Sequence, residues 1–147
     1  MAVMKIYRLG DDVLRKKAHE VKEINRRTVA LLKDMAETMY AADGCGLAAP
    51  QVGVLRRIVV IDVGEGLVEL INPVILEQSG AQQGPEGCLS LPGKHGEVER
   101  PEHVRVRALD RKGREFELEA DGFFARAVCH ELDHLIGELE DNEPEEN

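Results

Sequence analysis

The motif H-E-x-x-H at residues 130–134 constrains the fold more than any other segment of the chain. Residues four apart lie one turn apart on an α-helix, so His130 and His134 point towards one metal ion only if this segment is helical. Asp121 is suited to the N-cap of such a helix, and Gly137 to the position just after its C-terminal end. The sequence therefore predicts a short C-terminal helix that carries two candidate metal ligands.

Glu131 lies between the two histidines and indicates what a metal would be used for. A carboxylate beside a metal ion can take a proton from a water molecule that the ion activates, which is the step that metal-assisted hydrolysis requires. Two surface histidines with a solvated glutamate between them are the alternative explanation of the motif alone. The motif thus favours a metallo-hydrolase without identifying its substrate.

The length of 147 residues fits one domain with a single core, which we place at residues 1–137. The formal net charge of −9 comes mostly from the last ten residues, and we expect residues 138–147 to form a frayed acidic tail. Six acidic residues make up most of this charge: Glu138, Glu140, Asp141, Glu143, Glu145 and Glu146. The rest of the chain is close to neutral, so we expect no direct binding of nucleic acid.

Hydropathy and cysteine content indicate the compartment. No stretch approaches the ~20 apolar residues of a membrane-spanning helix, and the N-terminus resembles neither a secretory signal nor a transit segment. The three cysteines, Cys45, Cys88 and Cys129, are an odd number, which is typical of a reducing compartment with free thiols. We therefore expect a cytoplasmic protein without a membrane contact.

Two hairpins are predicted in the middle of the chain. Their strands are residues 57–63 with 67–71, and residues 103–108 with 115–119. On the second hairpin, arginine and glutamate side chains alternate with apolar ones and would pair on the solvent face. Between the hairpins, the Gly- and Pro-rich residues 80–101 show no strong periodicity and predict a shaped loop with irregular strand.

A packing helix is expected before these strands, capped by Asn25 and running to about residue 42. The order is then helix, strands and a final helix, with no repeated βαβ pattern. That order predicts an α+β fold, with antiparallel β-sheets packed around the C-terminal helix that bears the H-E-x-x-H motif.

A catalytic zinc-type site needs a third protein ligand, and the residues leave two candidates. Glu140 lies three residues after Gly137, a spacing that some zinc proteases use, although almost any spacing would meet a carboxylate in this acidic run. Cys88 lies in a Gly-containing segment that would present its thiol, although a buried structural cysteine is the more common role. Cys129 projects away from the metal side of the helix and is expected in the core.

Three segments in this order resemble the signature motifs of the peptide deformylase family. They are residues 44–51 (G-C-G-L-A-A-P-Q), residues 86–90 (E-G-C-L-S) and residues 130–134 (H-E-L-D-H). The resemblance extends from about residue 4 to residue 137. It implies a metal-dependent hydrolase that removes the N-formyl group from the formyl-methionine of newly made polypeptides and releases formate.

The resemblance also implies roles for individual residues. The metal ligands of the family correspond to Cys88, His130 and His134, and its general acid and base corresponds to Glu131. The donors to the oxyanion of the tetrahedral intermediate correspond to the Gln51 side chain and the Leu89 backbone N–H.

Substrate contacts can be added to these roles. Pairing of the substrate main chain with Gly46 would orient the formyl group. Phe123 and Ala127, two turns and one turn before His130, would line a pocket for the methionine side chain with Cys45 opposite, and ordinary core packing is the alternative for this pair.

Acidic and basic residues around the motifs are candidates for bracing the metal ligands. Glu86 and Arg100 are expected to pair beside Cys88, and Asp133 is a further candidate.

The family's physiological metal is Fe(II), and Zn(II) or Ni(II) can substitute on the same ligands. The acidic tail departs from the family, in which apolar residues and often a further strand or helix follow this point, and in which some members use a basic C-terminal helix to dock on the ribosome. That departure leaves ribosome association open. Cys129 replaces the glutamine that is common at its position, a change that we expect to be neutral.

Overall fold

The structure, a computed structural model, describes residues 2–8, 10–88 and 90–137, with residues 91–96 described by their backbone alone. Two α-helices and seven strands lie in this part of the chain. They are α1 (Arg26–Ala41), α2 (Gly122–Leu135), β1 (Gly46–Ala48), β2 (Ile58–Ile61), β3 (Val68–Ser79), β4 (Gln82–Cys88), β5 (Leu91–Arg100), β6 (His103–Leu109) and β7 (Glu115–Asp121). No helix of these described residues is both long and apolar enough to cross a membrane.

Five of the strands form one antiparallel sheet in the order β1-β2-β3-β6-β7. The hairpins β2–β3 and β6–β7 are the two that the sequence predicts, and both are confirmed by their registers. On the solvent face of the second hairpin, Arg105 lies 2.7 Å from Glu117 in the predicted type of ion pair.

The prediction of a shaped loop with irregular strand at residues 80–101 is wrong. Strands β4 and β5 form a regular antiparallel hairpin from the pair Gln82 and Arg100 to the pair Cys88 and Leu91, with a register shift after Gly87. A ladder is held by backbone hydrogen bonds, which do not require alternating side chains. Glycine and proline in β4 therefore hide the strand from a periodicity argument without preventing it.

Helix α1 packs on one face of the five-stranded sheet through an apolar stripe. Its N-terminus has the predicted cap, because the side chain of Asn25 accepts a hydrogen bond from the backbone N–H of Thr28 at 3.2 Å. Its buried stripe, Leu32, Met35 and Met39, joins a cluster with Ile58 and Val60 of β2.

Helix α2 packs on the opposite face. Val59 and Ile61 of β2 lie in a second core cluster with Val128 and Leu135 of α2. Successive residues of β2 thus point to opposite faces, and both faces are covered. All four residues of β2 are 0% exposed, and each such side chain contributes about 1.5–3 kcal/mol of burial free energy. This confirms the predicted α+β arrangement with a buried C-terminal helix.

The ends of α2 lie where the sequence predicts them, but for partly different reasons. Asp121 occupies the N-cap without a capping hydrogen bond from its side chain, which instead lies 2.7 Å from Nδ1 of His103. Gly137 has a φ of +77°, and a Cβ there would lie 2.5 Å from the carbonyl oxygen of Arg15. Glycine at this position therefore allows both the left-handed turn and the close approach of another segment.

Candidate metal centre

Cys88, His130 and His134 bring three potential ligand atoms together, within 4.8 Å of one another. The cysteine lies at the end of β4, where the hairpin bulges, and both histidines lie one turn apart on α2. Sγ of Cys88 lies 3.3 Å from Nε2 of His134. Two segments more than forty residues apart in sequence thus meet at one point.

The chemistry of these atoms fits a divalent metal ion of the zinc or iron type. A tetrahedral site with a metal–sulfur bond of about 2.3 Å and a metal–nitrogen bond of about 2.1 Å separates sulfur and nitrogen by about 3.6 Å, close to the observed distance. His130 and His134 are only 7% and 2% exposed. Nε2 of His130 nevertheless makes no hydrogen bond within the described residues. A buried ring nitrogen without a partner is costly, and a metal bond would satisfy it.

Glu86 orients His130 from the other side of its ring. Oε1 of Glu86 lies 2.9 Å from Nδ1 of His130, whose N–H donates to the carboxylate. Arg100 donates to both carboxylate oxygens at 2.8 and 3.0 Å, and through a further nitrogen to Asp133 at 2.7 Å. The predicted pairing of Glu86 with Arg100 is confirmed, and Asp133 belongs to the same network. Such partners fix the tautomer and orientation of a ligating histidine.

The surroundings of the two histidines shift their pKa values in opposite directions. Burial would by itself lower the pKa of His130, but the Cys88 sulfur and the Glu86 carboxylate raise it to about 11. Burial, with the positive charges of His130 and Arg100, lowers the pKa of His134 to about 3. Burial would raise the pKa of Glu86, and hydrogen bonds from His130 and Arg100 reverse this to hold it well below its usual range. Without a metal, the environment of His130 therefore favours its protonated ring, and that of His134 its neutral ring.

Glu131 lies beside these ligands and is buried. It is 5% exposed, and within the described residues its Oε1 has no hydrogen-bond partner. Burial raises the pKa of this carboxyl to about 7. Its other oxygen, Oε2, lies 2.5 Å from where a Cβ on Gly46 would be. A carboxyl with a pKa near neutrality and a free oxygen can both accept and return a proton at physiological pH.

Gln51 is fully buried with its amide held in one orientation. Its Oε1 accepts a hydrogen bond from the backbone N–H of Ala48 at 3.0 Å, so its Nε2 points the other way. That nitrogen lies 3.1 Å from Oγ of Ser90 and 3.7 Å from Sγ of Cys88. A donor group is thus aimed at the cysteine side of the site.

Comparison with known proteins agrees with this arrangement. Residues 3–143 match the model of the polypeptide deformylase family. The chain belongs to the peptide deformylase family.

Similar relatives include the peptide deformylase of Thermoanaerobacter pseudethanolicus, 60% identical over 95% of this chain and 87% of the relative. Peptide deformylase 1 of Clostridium acetobutylicum is 59% identical over 95% and 93% of the two chains. The crystal structure of peptide deformylase from Thermotoga maritima superposes with a TM-score of 0.92 at 43% identity, covering 93% and 94% of the two chains. The predicted family, enzyme class and α+β fold are confirmed.

Other residues that the resemblance to deformylases singles out occupy different environments. Cys45 is half-buried, and burial followed by the charge of Glu131 raises the pKa of its thiol. Ala127 is buried in the core cluster of α2, whereas Phe123 is 58% exposed. Core packing is therefore the environment of Ala127 but not of Phe123. Cys129 is buried in the core as expected.

Two predicted residues lie outside the described part of the chain. They are Leu89, a candidate oxyanion donor, and Glu140, the alternative third ligand.

The sequence did not predict a role for two residues beside this candidate metal centre. Ser90 contacts the amide of Gln51, and Arg126 lies 2.9 Å from Oε2 of Glu86. Arg126 precedes His130 by four residues, so its position on the same helix face was available as a signal.

Proposed function

We propose that the chain hydrolyses the N-formyl group of N-terminal formyl-methionine in new polypeptides at the site formed by Cys88, His130 and His134. The observation that carries this proposal is the convergence of these three ligand atoms, within 4.8 Å, beside the buried carboxyl of Glu131. Family membership supports the choice of a formyl amide as the bond that is hydrolysed.

Cys88, His130 and His134 would hold one divalent ion, with Fe(II) as the working metal and Zn(II) or Ni(II) as substitutes. A thiolate and two neutral imidazoles leave a net charge of about +1 on a divalent ion, and the sulfur makes the site softer than three histidines would. When bound, the ion supplies positive charge that acidifies a water molecule and polarises the formyl carbonyl.

Glu131 acts as the general base and then as the general acid. Its carboxylate accepts a proton from the water molecule that attacks the formyl carbon. When the bond between that carbon and the methionine nitrogen breaks, Glu131 returns the proton to the leaving amine. In the absence of a metal, burial raises the pKa of this carboxyl to about 7, which brings it towards the range where neither protonation state is strongly disfavoured.

Gln51 stabilises the oxyanion that forms on the formyl oxygen. The hydrogen bond from Ala48 to its Oε1 leaves Nε2 as the end that faces the site, so the amide donates without having to rotate. The backbone N–H of Leu89 is proposed as the second donor.

The substrate main chain would pair with β1, the strand at one end of the sheet order. Addition of an extended peptide to a sheet edge supplies affinity through backbone hydrogen bonds. Gly46 in this strand lies directly beside Glu131, so a peptide paired there would present its formyl group to the base. Cys45, Phe123 and the small exposed part of the otherwise core-packed Ala127 are proposed to contact the methionine side chain.

The proposed partner is the formylated polypeptide, which the protein would bind in the cytoplasm. Residues 1–137 are proposed to form the single catalytic domain. The acidic balance of the chain favours no direct contact with nucleic acid. No ribosome contact is proposed.

The deciding experiment is an anaerobic assay of formyl-Met-Ala-Ser with the iron, nickel and zinc forms of the protein. Formate release that depends on the metal is expected, with the iron form faster than the zinc form. Acetyl-Met-Ala-Ser is the control substrate. Cleavage of a peptide bond instead of formate release would favour a metalloprotease, and stoichiometric metal binding without any turnover would favour a binding module.

A further inference from the structure

Arg126 is a buried cation on α2 that is not part of the proposed ligand set or of the proposed acid and base chemistry. It is 5% exposed and precedes His130 by one helical turn. Its NH1 group lies 2.9 Å from Oε2 of Glu86, the carboxylate whose other oxygen contacts His130. Arg126 and His130 thus hold the two oxygens of one carboxylate from the same helix.

The same NH1 group also holds both strands of the β4–β5 hairpin. It donates to the carbonyl oxygens of Gly84 at 3.1 Å and Val98 at 3.0 Å, and these two residues are partners in the ladder. Since β4 ends at Cys88, this contact joins the hairpin that carries the sulfur to the helix that carries both rings.

Gln82 extends this connection towards the start of the helix. Its side-chain oxygen accepts from Nε of Arg126 at 3.3 Å, and its nitrogen donates to the carbonyls of Pro101 and Gly122 at 3.0 and 2.7 Å. The hairpin and the first turn of α2 are therefore held together at several points around Arg126.

Stability by itself is a poor explanation for a guanidinium in this position. Burial of a charge costs several kcal/mol before its contacts are counted, and well-packed apolar side chains of similar volume are often as stable as a buried ion pair. The NH2 group of Arg126 is buried and makes no hydrogen bond with any residue that the structure describes. Such a costly arrangement is better explained by the geometry that it imposes on Glu86 and the hairpin.

We propose that Arg126 is a positioning residue for the metal centre, which holds Glu86 against His130 and keeps Cys88 at a fixed distance from the two histidines. This inference rests on the proposed function, because it assumes that these three residues bind the metal. The planar fork of arginine is required, since one ammonium group contacts fewer of these acceptors in fixed directions.

The test compares Arg126→Met and Arg126→Lys with the wild-type protein in the intact chain. Cobalt(II) is the probe, because its thiolate charge-transfer and ligand-field bands report the geometry of a Cys/His/His site. The metal dissociation constant is measured by competition with a chelator, and kcat and KM are measured separately on formyl-Met-Ala-Ser. Arg105→Met is the matched control, because Arg105 makes ion pairs with Glu77 and Glu117 on the solvent face of the sheet.

Arg126→Met should weaken metal binding by about 10–100-fold, as loss of a group that orients a ligand usually does, and should shift the cobalt bands. Arg126→Lys should give a smaller loss, and Arg105→Met none. The fall in activity should appear in kcat more than in KM, because the substrate strand pairs at β1 and not at the hairpin.

The two proposals fail in different ways. A wild-type protein that binds cobalt without a thiolate band would contradict the proposed metal centre itself. A wild-type protein with the band, and a folded Arg126→Met variant with the same spectrum and a dissociation constant within about twofold, would overturn the role of Arg126 alone. If the Met variant does not fold, the Lys variant decides by the same two criteria, since an unchanged spectrum and affinity would show that the fork is not needed.

Discussion

A Cβ on Gly46 would lie 2.5 Å from Oε2 of Glu131 and 2.9 Å from its Cγ. The backbone of Gly46 is ordinary strand, so the requirement for glycine here comes from space and not from an unusual φ. The carboxyl of Glu131, the proposed base, is therefore in direct van der Waals contact with β1, the strand proposed to pair with the substrate. Glycine at this position allows the backbone to approach the buried carboxyl of Glu131 closely.

Gly46→Ala should leave the protein folded and metal-bound while lowering kcat by about 100-fold or more. The buried carboxyl of Glu131 must move to make room for the methyl group, and a displacement of about 1 Å of a catalytic group is expected to cost about this much. Steady-state kinetics with metal analysis checks it. A rise in KM at unchanged kcat would instead show that the methyl group obstructs only the substrate.

Glu131→Gln should lower kcat by a factor of about 10² to 10⁴ with little loss of metal, because the amide cannot accept or return the proton. In the wild-type protein the base must be ionised, so activity should be lost as the pH falls through the pKa of Glu131. That pKa is raised to about 7 by burial, and a bound cation would lower it. A pH–rate profile checks this limb, and turnover by the Gln variant at the wild-type rate would contradict the mechanism.

Cys88→Ser should remove most of the metal and the activity, whereas Glu140→Gln should change neither. The sulfur of Cys88 lies 3.3 Å from Nε2 of His134, and a serine hydroxyl is a much weaker ligand than a thiolate. Metal content by elemental analysis and formate release check the pair of variants. The opposite pattern would indicate a protease-like third ligand in the tail.

Arg100→Leu should lower the free energy of unfolding by about 3–5 kcal/mol, because it leaves the buried Glu86 without one of its cations. Urea unfolding of the metal-bound protein measures the change. Arg111→Leu is the control, because its ion pair with Glu69 is more exposed and should contribute less than about 1 kcal/mol. Equal losses in the two variants would contradict the importance of burial at Glu86.

Metal uptake near pH 7 should release about one proton from His130, in addition to any from the thiol, because its ring is protonated in the metal-free protein and must give up that proton to bind. The release from this ring should disappear only as the pH rises towards about 11. Titration calorimetry in buffers of different ionisation enthalpy counts the protons. Glu86→Gln should move the loss of this release to lower pH, since one of the groups that favour the charged ring is absent, and an unchanged pH dependence would contradict this assignment.

The features that local sequence patterns predicted correctly are those that depend on interactions within one segment of the chain. The cap at Asn25, the two hairpins and the left-handed glycine just after α2, Gly137, follow from hydrogen bonds and side-chain periods that operate over a few residues, and all are confirmed. The stretch at residues 80–101 was missed because its ladder is held by backbone groups and by Arg126, which lies far away in sequence.

The sequence by itself determined that two histidines and a glutamate share one helix, because helical spacing is a property of the chain alone. Only the tertiary structure brings the sulfur of Cys88 to those rings and places Arg126 between the hairpin and the helix. It also buries Glu131, and this burial raises the pKa of its carboxyl. From the residues alone the third ligand stayed open between Cys88 and Glu140, and the resemblance to the family was needed to favour the cysteine. The physical reason is that distances between remote segments, and the exclusion of water around them, are set by how the sheet, hairpin and helix pack together.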